Sequence, residues 1–453
     1  MTAVSTAPAA PERAGRRAAS LYRAVWRWHF YAGLLTLPFL ILLAVTGGLY
    51  LFRAEIDGLI HRDVKRVEAR VTPERPPSEI IAQATKAFAG QPVKYVPPET
   101  TTASAEVTIR NPSGTRMVVY VDPYDARVLG QIPDRGTVMW VIRQLHSLAY
   151  FGPVANGIIE IVGGWAILLV LTGLYLWWPR RQSGGVVTVR GKPRQRVFWR
   201  DLHAVTGLIA GGFILFLAIT GMPWSVLWGA KVNQWANGHN FGYPAGVRVA
   251  VPMSDEHLAH AGPTSWSLEQ ARMPESAAHG GKPIDLDAAV AIFDRLGLKR
   301  GYAVNLPSGP SGVYTGSVYP KDMAFQRVIH LDQYSGKTLI DMSYADYGPL
   351  GKALEWGVNV HMGQEFGLAN QLLMLAVCLA IILLAISALV MWWKRRPRGS
   401  LGVPPLPTDK ATLWVVLGLL AVGGVVFPLV GLSLIAMAAI DLIATRHTRP
   451  MRA

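Results

Sequence analysis

The sequence predicts a polytopic α-helical membrane protein with two extracytoplasmic α+β domains, built from a duplicated helix–domain–helix unit. Three observations carry this. The chain is 51% hydrophobic and only 16% charged, and its apolar residues collect in runs that reach the roughly 20 residues a bilayer-spanning helix needs. Two polar segments with strand-like alternation separate those runs. One histidine recurs at the same relative place in each helix pair.

Taken in order, residues 1–25 read as a cytoplasmic tail, disordered over its Ala/Pro/Arg-rich start. That start has no apolar core, and no small-residue cleavage site follows the first run, so a cleaved signal peptide is not expected. Spans are expected at 26–52, 151–179, 202–228 and 366–393. Between them lie a polar domain at 53–150, a basic loop at 180–201, a linker and second polar domain at 229–365, and a loop at 394–410. The apolar stretch 411–445 is too long for one ordinary span, and Phe427-Pro428 divides it because proline interrupts a helix. A hairpin of two short spans returns the tail 446–453 to the cytoplasm and is the favoured reading. One long kinked helix would leave that tail outside.

The net charge is +15, which first suggests a nucleic-acid partner. The location of the cations argues otherwise. They crowd the span ends and short loops: Arg13, Arg16, Arg17, Arg23 and Arg27, then Arg180 to Arg200, then Lys394 to Arg398, then Arg446, Arg449 and Arg452. That is the bias that keeps basic loops in the cytoplasm. Both termini are therefore placed in the cytoplasm, both polar domains outside it, and no nucleic acid is expected. The single cysteine, Cys378, excludes an internal disulfide, and its apolar run marks it as a small buried residue. No Cys-x-x-Cys-His occurs, so haem is not attached covalently. No Gly-x-Gly-x-x-Gly after a strand and no P-loop appears, so electrons, if they flow, come from elsewhere.

Each polar domain has one amphipathic helix, Ser78–Phe88 or Leu286–Leu296. Strands follow at Ala105–Arg110 and Met117–Val121 in the first, and at Val313–Tyr319 and Gln326–Leu331 in the second. Turns at Pro112-Ser113-Gly114 and Tyr334-Ser335-Gly336 separate them.

The repeat is in register. His29 precedes Thr46-Gly47 by 17 residues, as His203 precedes Thr220-Gly221. His146 precedes Trp177-Trp178 by 31 residues, as His361 precedes Trp392-Trp393. His146 precedes Thr172 by 26 residues, as His361 precedes Ser387. The outer segments echo each other too, Val121-Asp122-Pro123-Tyr124 against Leu331-Asp332-Gln333-Tyr334.

Ionisable side chains in or near a span are costly and mark function, although one histidine at a helix end is also tolerated as an interfacial residue. Matched register favours function. His29 and His203 begin spans that leave the cytoplasm, and His146 and His361 precede spans that return. Two facing pairs result, one at each side. Imidazole is an axial ligand of haem iron, so two b-type haems are expected, His29 with His203 on the cytoplasmic side and His146 with His361 on the outer side. Gly33, Gly207, Gly211 and Gly212 would let one macrocycle approach, and Gly152, Gly157, Gly163, Gly164, Gly363 and Gly367 the other. Arg143, Arg27 and Arg200 are candidate propionate contacts, weighed against a role as orientation signals. Arg143 lies on the outer side, where that signal does not explain it. The linker 229–283 holds His239, Met253, His257, His260, Met273 and His279, but the spacing matches no standard metal site.

At this point the chain resembles the PepSY-associated transmembrane family of bacterial inner-membrane proteins. The resemblance lies in Trp28-His29 with Thr46-Gly47-Gly48-Leu49-Tyr50, Gln144-Leu145-His146-Ser147-Leu148 with Thr172-Gly173-Leu174-Tyr175-Leu176-Trp177-Trp178-Pro179, Asp201-Leu202-His203 with Gly207, and Asn359-Val360-His361-Met362-Gly363 with Trp392-Trp393. It covers 26–395, with Pro428-Leu429-Val430-Gly431-Leu432-Ser433 besides. The resemblance implies PepSY-like outer domains, two haems b held by His29, His146, His203 and His361, and reduction of a ferric siderophore or other ferric chelate in the periplasm. The electron donor would be a quinol or a cytoplasmic reductase. Rival readings are a reductase of another metal or of a quinone, and a non-catalytic PepSY protein that binds peptides or restrains a peptidase.

Overall fold

The computed structural model describes residues 10–179, 184–238, 253–257, 264–265, 268, 271–277, 281–397, 402–404 and 409–447. In chain order the elements are α1 (Ala10–Tyr50), α2 (Arg53–Ile60), α3 (Pro77–Ala87), β1 (Gln91–Val96), β2 (Ala105–Arg110), β3 (Arg116–Val121), β4 (Val128–Pro133), α4 (Val138–His146), α5 (Pro153–Trp177), α6 (Arg196–Gly221) and α7 (Trp228–Gly238). There follow α8 (Leu286–Arg295), β5 (Ala303–Asn305), β6 (Val313–Val318), β7 (Arg327–Asp332), β8 (Thr338–Ser343), α9 (Pro349–His361), α10 (Gly367–Arg395), α11 (Lys410–Val426) and α12 (Pro428–His447). A two-strand ribbon pairs Met253–His257 with Arg272–Pro274. The chain divides into two units: one of residues 1–48, 145–230 and 373–453, the other of residues 49–144 and 231–372.

The first unit is helical. The stretches Ala19–Tyr50, Pro153–Trp177, Arg196–Trp224 and Gly367–Arg395 are long and apolar enough to cross a membrane. The tail expected at the start is helical from Ala10 onward. Its Pro11 sits in the first turn, where proline is tolerated, and Ala and Arg then favour the helix. Trp165 is 1% exposed and anchors a core with Ala24 and Ala32 of α1, Val416 and Leu420 of α11, and Val430 and Leu434 of α12. Its indole nitrogen donates to Ser433 Oγ at 2.9 Å. Small residues set the close approaches: a Cβ at Gly164 would lie 2.4 Å from Val430. At Phe427 the chain turns back. A Cβ at Gly424 would lie 3.9 Å from Leu434 Cδ1, whereas ten residues of continuous helix extend about 15 Å. Residues 411–445 thus form a hairpin of two shorter apolar helices rather than one kinked rod.

The second unit is built on a single antiparallel sheet of eight strands, in the order β8-β7-β6-β5-β1-β2-β3-β4. Each half of it is one helix followed by four strands. The two halves share the sheet because β1 pairs with β5, Lys94 opposite Asn305 and Tyr95 opposite Val304. Alternation sends Ile109, Val119 and Val121 of one half and Val304, Ile329 and Leu331 of the other to one face, where Ile80 and Ala84 of α3 and Ala289 and Phe293 of α8 cover them. The matching Asp122 and Asp332 make the same turn: Tyr124 N–H donates to Asp122 Oδ1 at 2.9 Å, and Tyr334 N–H to Asp332 Oδ1 at 3.0 Å. Such a side-chain turn is what a short acidic residue offers between strands.

Four strands of this sheet lie outside the expectation, and each has a local reason. Pro92 and a bulge interrupt the alternation of β1, Gly130 weakens β4, β5 has three residues, and β8 opens on a second bulge.

His330 of β7 is 1% exposed, with Nδ1 2.9 Å from Thr315 Oγ1. Burial pushes its pKa down from 6.5 to about 4. The folded ring is therefore neutral where the unfolded ring takes a proton, so its contribution is whole above pH 6.5 and is lost as pH falls towards 4. We expect up to about 3 kcal/mol of sheet stability to disappear across that window. Hydrogen exchange of β7 amides, corrected for intrinsic rates, should show protection falling there in the native protein and pH-independent in His330→Gln.

Candidate functional site

The helical unit holds three of the four recurring histidines, and each meets a hydroxyl on another helix. His29 Nδ1 of α1 is 2.9 Å from Thr172 Oγ1 of α5. His146 Nδ1, at the end of α4, is 2.9 Å from Thr46 Oγ1 of α1. His203 Nδ1 of α6 is 3.0 Å from Ser387 Oγ of α10 and 3.1 Å from Leu384 O. The first two contacts share α1, which offers its ring to α5 near one end and its hydroxyl to the ring of α4 near the other. His29 and Thr46 are 17 residues apart on α1, which separates the two contacts by roughly 25 Å along the axis.

Donor accounting assigns the tautomer. Thr172 Oγ1 lies 2.6 Å from Leu168 O, and Thr46 Oγ1 lies 2.6 Å from Leu42 O. A carbonyl only accepts, so each hydroxyl proton goes to its own helix backbone. The hydroxyl oxygen is left to accept, and the proton between it and the ring belongs to Nδ1. For His203 the Leu384 carbonyl requires the same, and Ser387 Oγ also donates to that carbonyl at 2.9 Å. In all three neutral rings Nε2 is then the bare nitrogen, the form in which imidazole binds a metal. Burial lowers the His146 pKa to about 4, so that ring is neutral at pH 7.

All three rings are half-buried rather than packed over. His29 and His203 both belong to the helical unit. The glycine after each threonine has a direct function. A Cβ at Gly173 would lie 3.4 Å from His29 Cε1, and one at Gly47 would lie 3.3 Å from His146 Cε1. The Thr-Gly dipeptide therefore receives the ring proton with one residue and makes room for the ring with the next. The glycines expected to line a slot serve helix contacts instead: Gly33 faces Leu169, Gly207 faces Leu384, and Gly211 faces Val170. Gly212 has nothing within 4 Å. Cys378 is buried against α1 at Gly47 and Gly48.

His361 belongs to the second unit, where it ends α9. Asn359 of that helix donates to Lys321 O at 2.7 Å and Glu365 Oε2 at 2.6 Å. Thr220, at the register-equivalent place on α6, donates to Phe216 O at 2.8 Å, as its counterparts do.

The candidate cations divide. Arg200 is tied to Asp201, with Nη2 to Oδ1 at 2.6 Å, and Arg190 Nε reaches the same carboxylate at 2.8 Å. Its first partner is thus a side chain that sequence spacing did not weigh. Arg27 is buried, donating to Pro404 O and, at 3.2 Å, to Tyr31 Oη. Arg143 stacks over Trp140, 5.0 Å from the ring centre. Its neighbour Arg53 was not singled out from sequence. It donates to Tyr50 O at 3.3 Å and Met362 O at 3.5 Å, and burial lowers its pKa. Glu160 was missed as well, although a carboxylate inside an apolar run is a readable signal. It is 1% exposed and accepts from the N–H groups of Leu227 at 2.8 Å and Trp228 at 3.2 Å, capping the start of α7.

His239, His260 and His279 of the linker lie outside the described residues. Among the described residues no group of three or more His, Cys, Asp and Glu side chains is placed to hold a bare metal ion. The donor chemistry is that of separate imidazoles in an apolar helical unit, which fits axial ligation of a macrocycle.

Comparison with known proteins agrees with this architecture. No curated protein matches the chain. The family model described as the PepSY-associated TM region matches residues 26–395. With that match over most of its length and four helices able to cross a bilayer, the chain belongs to the PepSY-associated TM family.

Proposed function

We propose that this membrane protein passes electrons from the cytoplasmic side to the periplasm through two haems b and reduces ferric siderophores or other ferric chelates there. The observation that carries the proposal is the tautomer set at three histidines, whose Nδ1 protons are committed to hydroxyl or carbonyl oxygens and whose Nε2 atoms are bare. His29 and His203 would hold the cytoplasmic-side haem. Sequence register assigns His146 and His361 to the periplasmic one. When bound, haem supplies one-electron redox chemistry. The chain's own contribution is to fix each imidazole by a hydrogen bond, keep water from it with apolar helices, and tune its basicity through the hydroxyl.

The proposal includes a bacterial inner-membrane location, both termini in the cytoplasm, and two PepSY-like halves derived from one duplicated unit. The donor would be a quinol or a cytoplasmic reductase. The rival is a non-catalytic PepSY protein that binds peptides or regulates a peptidase. A scaffold has no use for hydroxyl–imidazole contacts at both ends of α1, so the geometry favours electron transfer. Reduction of another metal or of a quinone would use the same ligands and differ only in the acceptor.

The absorption spectrum of protein purified from haem-supplied cells tests this. Two b-type haems per chain are expected, and reduced protein should be reoxidised by a ferric siderophore. A colourless preparation sinks the proposal.

A further inference from the structure

We propose that the sheet carries a binding site for a small polycarboxylate anion, formed by Lys94, Arg110 and Arg116 on the face opposite α3 and α8. Strand alternation places these side chains. Tyr95, Val107, Ile109 and Val119 belong to the core under the helices, so Lys94, Thr108, Arg110, Arg116 and Val118 point the other way. Register then brings the cations together. Arg110 stands opposite Arg116, and Lys94 stands opposite Thr108, two residues along from Arg110. With strands about 4.8 Å apart and same-face neighbours about 7 Å apart, the three stems rise within the span of one small molecule.

Two features set this patch apart from a solvated surface. Like charges directly opposed across strands are destabilising, and neither Arg110 nor Arg116 has an ion pair or side-chain hydrogen bond among the described residues. The same is true of Lys94. All three are half-buried. Secondly, Thr108 is 2% exposed, and its Oγ1 has no hydrogen-bond partner among the described residues. A buried hydroxyl without a partner costs free energy and asks for an explanation. A ligand oxygen bridging the cations would satisfy it. Two acids share this face, Glu106 opposite Tyr120 and, just past β4, Asp134, whose N–H donates to Arg116 O at 3.0 Å. Among the described residues neither is ion-paired to Lys94, Arg110 or Arg116, and the three cations outnumber them.

The chemistry favours carboxylates. A guanidinium fork takes a carboxylate through two parallel hydrogen bonds, so the two arginines would hold two carboxylates while Lys94 and Thr108 hold further oxygens. The anion site stands on the sheet alone. Its identification as the dock for a ferric polycarboxylate chelate rests on the proposed function.

Equilibrium dialysis of the full-length protein in neutral-lipid nanodiscs, with radiolabelled citrate with and without ferric iron, tests the site. Native protein should bind, more weakly as salt rises. The Arg110→Gln/Arg116→Gln variant should lose about ten-fold or more in affinity, the scale of one charged hydrogen bond. Lys86→Gln, a single charge loss on α3 away from the patch, should bind as native. Equal binding by the double variant overturns the site. So does citrate binding that disappears in nanodiscs of anionic lipid, because headgroups would then be the occupant. Haem content is read separately. Haem-free protein that binds citrate sinks the electron-transfer proposal and leaves the site. Haem-bearing protein that ignores citrate does the reverse.

Discussion

Substituting His203 with alanine should halve the haem content, leaving one haem per chain. The proposed pairing of His29 with His203 predicts that His29→Ala loses the same haem, so the two variants should share one spectrum and the double variant should match either alone. The measurement is haem extracted per chain, with the reduced-minus-oxidised spectrum taken at low temperature. Under the proposed pairing, removing one imidazole would leave that haem with a single protein ligand. Equal loss of both haems in a folded protein, by circular dichroism, would show that the histidines pair otherwise.

Thr172→Val should weaken retention of that same haem by about 10- to 100-fold and raise its midpoint potential, the size expected when an outer-shell partner of a ligand is removed. The sign follows from the tautomer. The Nδ1–H of His29 donates to Thr172 Oγ1 at 2.9 Å, which would make the ring a stronger electron donor to a bound haem iron and favour the ferric state. Valine has the same shape and no acceptor, so the ring becomes less basic and the ferrous state gains. A ten-fold change in preference between the two states is about 59 mV. Thr172→Ser keeps the oxygen and should restore the native potential. A potential that follows bulk at position 172 rather than the hydroxyl would reduce the contact to packing.

Much of this architecture could be read from the chain because its causes are local. Long apolar runs, basic span ends and Phe427-Pro428 each act within a few residues, and the spans and hairpin followed from them. The histidines were legible because a repeat converts weak signals into a register. Their partners were not. Thr46 and Thr172 were noticed only as markers of spacing, since nothing local says that the hydroxyl of one helix meets the ring of another. Gly47 and Gly173 were likewise hidden, while Gly33, Gly207 and Gly211 looked like slot residues and proved to be helix contacts. Arg200 was misleading for a different reason: Asp201 beside it is buried and draws two arginines inward. β1 and β5 escaped notice because Pro92 and a three-residue length leave little alternation to read. Their pairing is the least local contact in the sheet.

That pairing has a consequence for symmetry. β1 and β5 are the first strands of their respective halves, and they run antiparallel, Tyr95 opposite Val304. An antiparallel join between equivalent strands is what a two-fold axis produces. Under the proposed duplication, a half-length chain with one helix–domain–helix unit would close the same eight-stranded sheet as a homodimer, strand edge against identical strand edge. The fused chain gains what a homodimer is denied. Its two halves are free to diverge, so one can keep Arg110 and Arg116 where the other has Tyr319 and Gln326, and a face that begins as symmetric can come to recognise a ligand on one side only.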